Sequence, residues 1–444
     1  MFRTEPGDRG RASWLVTIVI TAAAVPGLFS ASGCTMINGV AAGVRNEVWA
    51  RPKRTDYKFD ALFTVEDPQF RRTMDSIADG MVEGNTATLL NNGVEIFPAM
   101  TADIRAARAS VNLETFLYEN DEAGRLFADA MIEAVGRGVE VRLLVDGWGA
   151  NLGDLRGELE GAGVIVQEYR PLKLYTLNRP GIRTHRKLLI VDGRIGYTGG
   201  LGIDERWLGD ARNPDEWRET QVRVTGPVVA QMQAIFSENW VYSSAEILAG
   251  DTFFPQLEPT GDILAHALKS SKGDSSSLPK QMYVVAIKSS RRSIHIHNPY
   301  FIPDTQVRRA LVEAVQRGVD VQVIVPGRHH DIPLVRQSSR SHFGELLEGG
   351  VKIFEYVPTM MHLKALVIDE IFSTIGSINF DVRSMQINAE ESLSFYDRPF
   401  AEKMEAMFQD DKRRCREVTL EQWENRSFAA RSAEWFSWIW EPYY

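Results

Sequence analysis

Two stretches of the sequence carry the same polar residues at the same spacing. His185 and Lys187 precede an apolar run that ends at Asp192, and His362 and Lys364 precede a second run of the same kind. Side chains two residues apart in a strand share a face, so each pair is expected to project together. This combination suits a phosphate, because an ammonium group stabilises phosphoryl oxygens and an imidazole can act as nucleophile or acid.

A tight turn is predicted where each apolar run ends. Asp192 and Asp369 stand at these positions and are expected to hold the turns rather than to touch a substrate. A two-residue turn in the second stretch sets His362 opposite Ser377, with Asn379 on the same face. Ser377 and Asn379 are therefore candidate phosphate-binding residues.

Two glutamates downstream are candidates for tuning the histidines. Glu219 and Glu390 each begin a strand-like stretch. A nucleophile and a general acid need opposite protonation states, and a carboxylate hydrogen-bonded to each ring can set them. Neither stretch resembles a carboxylate-rich metal cage, so we expect chemistry that needs no metal and no other cofactor.

The repeat extends beyond these residues and predicts the domain organisation. RGVEV at 137–141 recurs as RGVDV at 317–321, and the two histidines are likewise about 180 residues apart, which indicates internal duplication. Strand-like and helix-like runs alternate in each half, so an α/β or mixed α+β fold is expected. The predicted domains are 86–250 and 281–410, with a polar linker at 251–280 between them.

The two ends of the chain point to a membrane. Residues 1–33 contain arginines, then an uncharged apolar run, then small residues before Cys34. This order predicts a signal that resembles a bacterial lipoprotein signal, in which Cys34 is lipidated. An uncleaved membrane anchor is the alternative. An N-terminal extension is expected at 34–85. The tail at 411–444 is rich in aromatic residues, which suits either a membrane interface or packing against the second domain.

Composition narrows the possible partners. The net charge is -9, which disfavours broad adhesion to nucleic acid. With only two cysteines, neither a disulfide framework nor a cysteine-type zinc site is supported.

On these motifs the sequence resembles the phospholipase D superfamily, whose hallmark is a duplicated HxKx4D pattern followed by Gly-Ser-x-Asn or Gly-Gly-x-Asn. Within it the sequence is most similar to the bacterial cardiolipin synthases. The likeness is carried by THRKLLIVDGRIGYTGGLGIDERWLG, NPYFIPD, HLKALVID and GSINFDVRS. It implies two phospholipase D-like lobes, each a mixed sheet flanked by helices, with the active site between them and a phosphohistidine intermediate.

The resemblance also implies roles for individual residues. His185 would be the nucleophile and His362 the acid that protonates the leaving alcohol. The implied catalytic set is the six motif residues His185, Lys187, Asp192, His362, Lys364 and Asp369. Lys187, Lys364 and Asn379 would bind the phosphate with Ser377 beside them, and Glu219 and Glu390 would orient the histidines. One departure is Gly202, which stands where the family has asparagine, so a phosphate ligand is lost from the first half or replaced from elsewhere.

The function expected from the resemblance is that of a membrane-tethered phosphatidyltransferase that forms cardiolipin from phosphatidylglycerol. Its partners would be phospholipids and the bacterial cell membrane, with the body of the protein outside the cytoplasm and no nucleic acid bound. Hydrolysis of phospholipids to phosphatidic acid is the main alternative, because water can replace the accepting alcohol. A nuclease and an inactive scaffold are the remaining ones.

Overall fold

The computed structural model describes residues 55–60, 62–171, 182–270, 277–427 and 431. The predicted signal at 1–33, Cys34 and the aromatic residues at 435–444 lie outside these ranges. In the part of the chain that is described, no helix is long and apolar enough to cross a membrane.

A single mixed sheet of fifteen strands is the framework of the molecule. The first half of the chain contains β1 (Val82–Asn91), β2 (Ser110–Thr115), β3 (Tyr118–Glu119), β4 (Glu140–Asp146), β5 (Ala150–Asn151), β6 (Ile165–Tyr169), β7 (Leu188–Val191), β8 (Ile195–Gly199) and β9 (Thr220–Thr225). The second half contains β10 (Ile263–Ser270), β11 (Ser293–His297), β12 (Asp320–Pro326), β13 (Lys352–Tyr356), β14 (Ala365–Ile368), β15 (Phe372–Gly376), β16 (Glu390–Tyr396) and β17 (Cys415–Val418). β3 and β5 form a separate two-stranded sheet.

The order of the strands shows the internal duplication directly. Outward from the centre, the first half runs β1-β9-β8-β7-β2-β4-β6 and the second runs β10-β16-β15-β14-β11-β12-β13, with β17 added at the edge. β1 and β10 pair antiparallel where the halves meet. The predicted mixed α/β fold with two related halves is therefore confirmed.

Helices flank the sheet, and most of them bury several of their residues. Those among the described residues are α1 (Pro68–Ile77), α2 (Asn92–Ala106), α3 (Glu122–Gly136), α4 (Leu155–Ala162), α5 (Val228–Ser244), α6 (Leu278–Ser289), α7 (Thr305–Gln316), α8 (Pro333–Ser341), α9 (Phe343–Glu348), α10 (Val382–Gln386), α11 (Arg398–Lys412) and α12 (Leu420–Glu424). The repeated helices α3 and α7 begin alike, because the carboxylates of Asp121 and Asp304 accept the N–H groups of Gly124 and Val307.

One apolar cluster draws its side chains from both halves. Val222 and Phe236 of the first half belong to the same buried cluster as Leu393 and Phe395 of the second. Burying apolar surface across the boundary stabilises the contact between the halves. The two sides of the cleft are therefore held in fixed positions.

The structure corrects three predicted domain boundaries. β10 falls inside the predicted linker 251–280, where His266 and Ser270 are buried. A strand in the middle of the sheet is covered on both sides, so polar residues there do not mark the surface. β1 begins within the predicted extension 34–85, and β17 places the start of the predicted tail 411–444 in the sheet of the second half.

The turns of both hairpins are one residue longer than predicted. Val191 pairs with Ile195 between β7 and β8, and Ile368 pairs with Phe372 between β14 and β15. The predicted pairing of His362 with Ser377 is therefore wrong by one residue. Asp192 and Asp369 adopt left-handed backbone conformations, with φ of 53° and 51°, and three residues separate the last paired residues of each hairpin.

Each turn aspartate fastens its hairpin to a neighbouring strand. The Asp192 carboxylate accepts backbone N–H groups at the start of β2, from Ala109 at 2.7 Å and Ser110 at 3.0 Å. The Asp369 carboxylate repeats this at the start of β11, with Arg292 at 2.7 Å and Ser293 at 2.9 Å. Backbone donors that would otherwise be orphaned are thus satisfied by a charged acceptor.

Replacing Asp192 with asparagine is expected to reduce stability but not catalysis. Asparagine tolerates the left-handed backbone, so Asp192→Asn removes only the charge from these hydrogen bonds. The loss expected is about 1–3 kcal/mol of the free energy of unfolding, measured by urea denaturation. Asp154→Asn is the matched control, since Asp154 is exposed and its side chain makes no capping bond. A loss of kcat in the folded variant, without a change in unfolding, would mean that Asp192 acts in the reaction.

Candidate active site

Two backbone bridges join the halves beside the histidines. The N–H of His185 donates to Ala389 O at 2.8 Å, and the N–H of His362 donates to Arg218 O at 2.8 Å. Ala389 and Arg218 immediately precede the two glutamates singled out from the sequence. Each histidine is therefore held next to the carboxylate of the opposite half.

The two histidine–glutamate contacts are crossed between the halves. His185 Nδ1 lies 2.8 Å from Glu390 Oε2, and His362 Nδ1 lies 3.1 Å from Glu219 Oε2. Each Nδ1 faces a carboxylate oxygen and so carries the proton, which leaves the lone pair of a neutral ring on Nε2. Both histidines line a cleft of about 560 Å³ to which the two halves contribute.

The glutamates are themselves fixed by further contacts. Ser377 Oγ donates to Glu390 Oε2 at 2.6 Å and accepts the N–H of Glu391 at 3.0 Å. Glu219 Oε1 accepts the N–H of Thr220 at 3.0 Å. Ser377 is fully buried, and the contacts of its hydroxyl are with the Glu390 carboxylate and the Glu391 backbone.

The lysines of the two motifs are buried with their histidines. Lys187 Nζ donates to His185 O at 2.8 Å, and Lys364 Nζ donates to His362 O at 2.6 Å. Burial lowers the pKa of Lys187 to about 7, helped by the charge of Lys364, and burial lowers the pKa of Lys364 to about 8. An anion in the cleft would stabilise both in their charged forms.

The pKa values of the histidines and glutamates are shifted differently in the two pairs. Burial lowers the pKa of His185, and burial together with the charge of Lys364 holds the pKa of His362 well below its ordinary value. Burial works to raise the pKa of Glu390, but His185 outweighs it and the pKa lies below the ordinary value. Burial raises the pKa of Glu219. Both shifts favour the neutral form of the ring, as a nucleophile needs, and a bound phosphate anion would favour the protonated form that an acid needs.

Of the other predicted site residues, Asn379 lies in the cleft and the turn aspartates do not. Asn379 is buried in the cleft wall, and its amide oxygen has no hydrogen-bond partner among the described residues. Asp192 and Asp369 are absent from the lining and bind backbone at the far ends of their hairpins. No group of three or more His, Cys, Asp or Glu side chains within the described ranges is arranged to hold a metal ion.

Aromatic rings that sequence reasoning did not single out surround the histidines. The ring centroids of Trp207, Trp217 and Tyr300 lie 5.3, 5.6 and 6.2 Å from that of His362. Phe116 lies 5.5 Å from His185. Trp207 and Trp217 come from the connection between β8 and β9, whereas Phe116 follows β2 and Tyr300 follows β11, so only the folded sheet brings the four rings together.

The Trp207 ring explains why residue 202 is a glycine. A Cβ atom at residue 202 would lie 2.9 Å from Trp207 Cζ3, which is closer than real Cβ atoms come, and 3.0 Å from Leu117 Cδ2, which is an unusually tight contact. The indole of Trp207 also donates from Nε1 to Glu219 Oε2 at 3.3 Å. The space that an asparagine side chain needs is therefore filled by a ring that contacts both Glu219 and His362.

The fold and the site define a two-lobed protein of the phospholipase D class. Among solved structures, phosphatidylserine synthase from Haemophilus influenzae Rd KW20 aligns with a TM-score of 0.64 at 13% identity, over 84% of this chain and 97% of that one. Polyphosphate kinase from Porphyromonas gingivalis aligns with a TM-score of 0.53 at 11% identity, over 88% of this chain and 57% of that one. At these identities the likeness concerns the fold alone.

Sequence comparison then identifies the family. The model of the family described as "Cardiolipin synthase, PLD-like domain" matches residues 100–240 and 283–412. Cardiolipin synthase from Geobacillus kaustophilus is 34% identical over 80% of this chain and 71% of its own length. The probable cardiolipin synthase YwiE of Bacillus subtilis is 32% identical over 84% and 76%. The chain belongs to the cardiolipin synthase family of phospholipase D-like proteins, which confirms the predicted class of enzyme.

Restoring the family's asparagine at residue 202 is expected to impair the protein. Gly202→Asn forces Trp207 out of place, so we expect about 1–3 kcal/mol of destabilisation, seen in urea unfolding, and lower activity. Gly161→Ala is the control, because a Cβ atom at residue 161 meets nothing within 4 Å. Higher activity at unchanged stability would show instead that the missing asparagine limits this site.

Proposed function

We propose that this protein is a phosphatidyltransferase that forms cardiolipin and glycerol from two molecules of phosphatidylglycerol. The observation that carries the proposal is the pair of crossed histidine–glutamate contacts, which face one cleft from its two sides. Two histidines in different electrostatic environments suit a reaction that needs a nucleophile and an acid at once. The family to which the chain belongs supports the choice of lipid.

In the first step His185 attacks the phosphodiester of one lipid. Its Nε2 lone pair forms a P–N bond while the P–O bond to the headgroup glycerol breaks, and His362 gives the proton that the departing oxygen needs. Glu390 stabilises the positive charge that develops on the His185 ring, since its carboxylate contacts Nδ1. Glu219 supports the protonated form of His362 in the same way.

In the second step the hydroxyl of another phosphatidylglycerol replaces the glycerol. Its proton passes to Nε2 of His362, its oxygen forms a new P–O bond, and the P–N bond to His185 breaks. The acid of the first step is thus the base of the second, and both histidines return to their starting states.

The charge of the phosphate is balanced by residues of both halves. Lys187 and Lys364 supply ammonium groups, and the amide of Asn379 faces the cleft. Donors placed where charge develops in the transition state act without reorganisation. Aromatic rings around His362 limit the entry of water, which favours transfer over hydrolysis.

The proposed location is the bacterial cell membrane, with a lipid anchor and the body outside the cytoplasm. This part rests on the sequence of residues 1–34 alone, where a basic start, an apolar run and Cys34 succeed one another. Mass spectrometry of the mature N-terminus tests it, because a lipidated Cys34 and an intact Met1 differ greatly in mass.

Purified protein is expected to convert phosphatidylglycerol vesicles into cardiolipin and glycerol without a divalent metal. His185→Ala and His362→Ala are expected to lose at least about 10³-fold in rate, because each removes a group that forms or breaks a bond. Lipid mass spectrometry measures the products. Asp154→Asn, whose side chain does not line the cleft, is the control for purification and assay of a variant. Phosphatidic acid in place of cardiolipin would identify a phospholipase D, and no product from the wild type would contradict the proposal.

The affinity for phosphodiester is expected to fall as the pH rises from 7 to 9. With pKa values of about 7 and 8, Lys187 and Lys364 are charged below this range and neutral above it, so an anionic substrate is bound less well at high pH. The fall is expected in kcat/KM, which reports the free enzyme, more than in kcat. Lys364→Arg stays charged at residue 364, so its affinity is expected to fall less between pH 7 and 9, because only Lys187 still loses its charge. A flat wild-type profile would contradict this role.

A further inference from the structure

The end of the cleft beside His362 holds a carboxylate that the reaction described above does not use. Asp331 lines this end together with Tyr300. The hydroxyl of Tyr300 donates to Asp331 Oδ2, and His330 Nδ1 lies 3.0 Å from Asp331 Oδ1. The Asp331 side chain is 17% exposed, so it is largely shielded but open to the cleft.

The two side chains that form this end, Asp331 and Tyr300, offer only hydrogen-bond acceptors to a ligand. Burial works to raise the pKa of Asp331, but His330 and Tyr300 outweigh it and hold the pKa below its ordinary value, so the carboxylate is ionised. An ionised carboxylate offers about four lone-pair positions and donates nothing. Because the Tyr300 proton is given to Asp331, its phenol oxygen also has only lone pairs to offer. A ligand here must therefore bring donors, as hydroxyl or ammonium groups do.

The direction of the reaction assigns this end to the headgroup. His185 attacks phosphorus from one side, and displacement in line pushes the leaving oxygen to the opposite side, where His362 protonates it. Tyr300 lies beside His362, with 6.2 Å between ring centroids. The accepting alcohol enters along the same path in the second step, so both alcohols pass the Asp331 end of the cleft.

The surrounding charges favour a neutral donor over a cation. Arg206 lines the same end, with its guanidinium 4.7 Å from the centroid of the Trp217 ring. Lys364 Nζ lies 3.0 Å from the His362 ring. Asp204 balances the charge of Arg206, with 2.6 Å between Nη2 and Oδ2, but an ammonium headgroup would be repelled by Lys364, whereas a polyol would meet Asp331 without that cost.

We propose that Asp331 and Tyr300 form a polyol subsite, which binds the free hydroxyls of the leaving and accepting glycerol groups and so selects glycerol over simpler alcohols. This inference rests on the proposed function, because it assigns the substrate of the same cleft.

Competition between soluble alcohols tests the subsite in the full-length protein. Phosphatidylglycerol vesicles are incubated with equal concentrations of deuterated glycerol and 1-propanol, and mass spectrometry gives the ratio of labelled phosphatidylglycerol to phosphatidylpropanol. A ratio of products does not depend on how much of a variant is folded. The wild type is expected to favour glycerol. Asp331→Asn is expected to lower the ratio about tenfold, the effect of losing a charge-assisted hydrogen bond, and Tyr300→Phe by less. Asp154→Asn is the matched control and keeps the wild-type ratio.

Three outcomes would overturn the subsite. The first is a wild type without preference for glycerol, and the second is an Asp331→Asn variant that loses both products in proportion. The third arises when ethanolamine replaces 1-propanol: a wild-type preference for ethanolamine that Asp331→Asn removes would assign the carboxylate to an ammonium headgroup. Failure of the wild type to make any phosphatidyl product, cardiolipin included, would instead refute the proposed function, so the two failures are distinguishable.

Discussion

The contact of each histidine with a glutamate of the opposite half is the constraint on which the rest of the site depends. His185 meets Glu390 and His362 meets Glu219 only because backbone hydrogen bonds cross the boundary next to both pairs. The antiparallel pairing of β1 with β10 and the shared apolar cluster hold that boundary together. Catalytic geometry and the packing between the halves are thus parts of one arrangement, since a shift of the halves would separate both rings from their carboxylates.

Much of this arrangement could be predicted because it is written in residue types and spacing. Local sequence patterns revealed the repeated His-x-Lys pairs, the two glutamates and the alternation of strands and helices, because these features do not depend on which segments pack together. The duplication also followed from the sequence, since two copies of several landmarks at one offset are hard to produce by chance.

Turn length, the central strand β10 and the aromatic rings could not be predicted from the spacing of residues along the sequence. The turns at Asp192 and Asp369 contain three residues rather than two, which shifts the pairing of the strands by one residue, and the Ser377 hydroxyl contacts the Glu390 carboxylate. β10 was taken for a linker because a strand covered on both faces lacks the alternation that marks a half-exposed one. The rings around His362 come from the connection between β8 and β9 and from the one after β11, so only the tertiary structure could bring them together.

Because the two related halves belong to one chain, each half of the site can accept substitutions that the other does not. In a symmetric pair of identical subunits, every substitution would be made twice, once on each side of the phosphate. Here Gly202 and Trp207 differ from their counterparts in the second half, where Asn379 keeps its amide in the cleft. In a single chain, one half can surround His362 with aromatic rings while the other half keeps Asn379 in the cleft, an asymmetry closed to a homodimer.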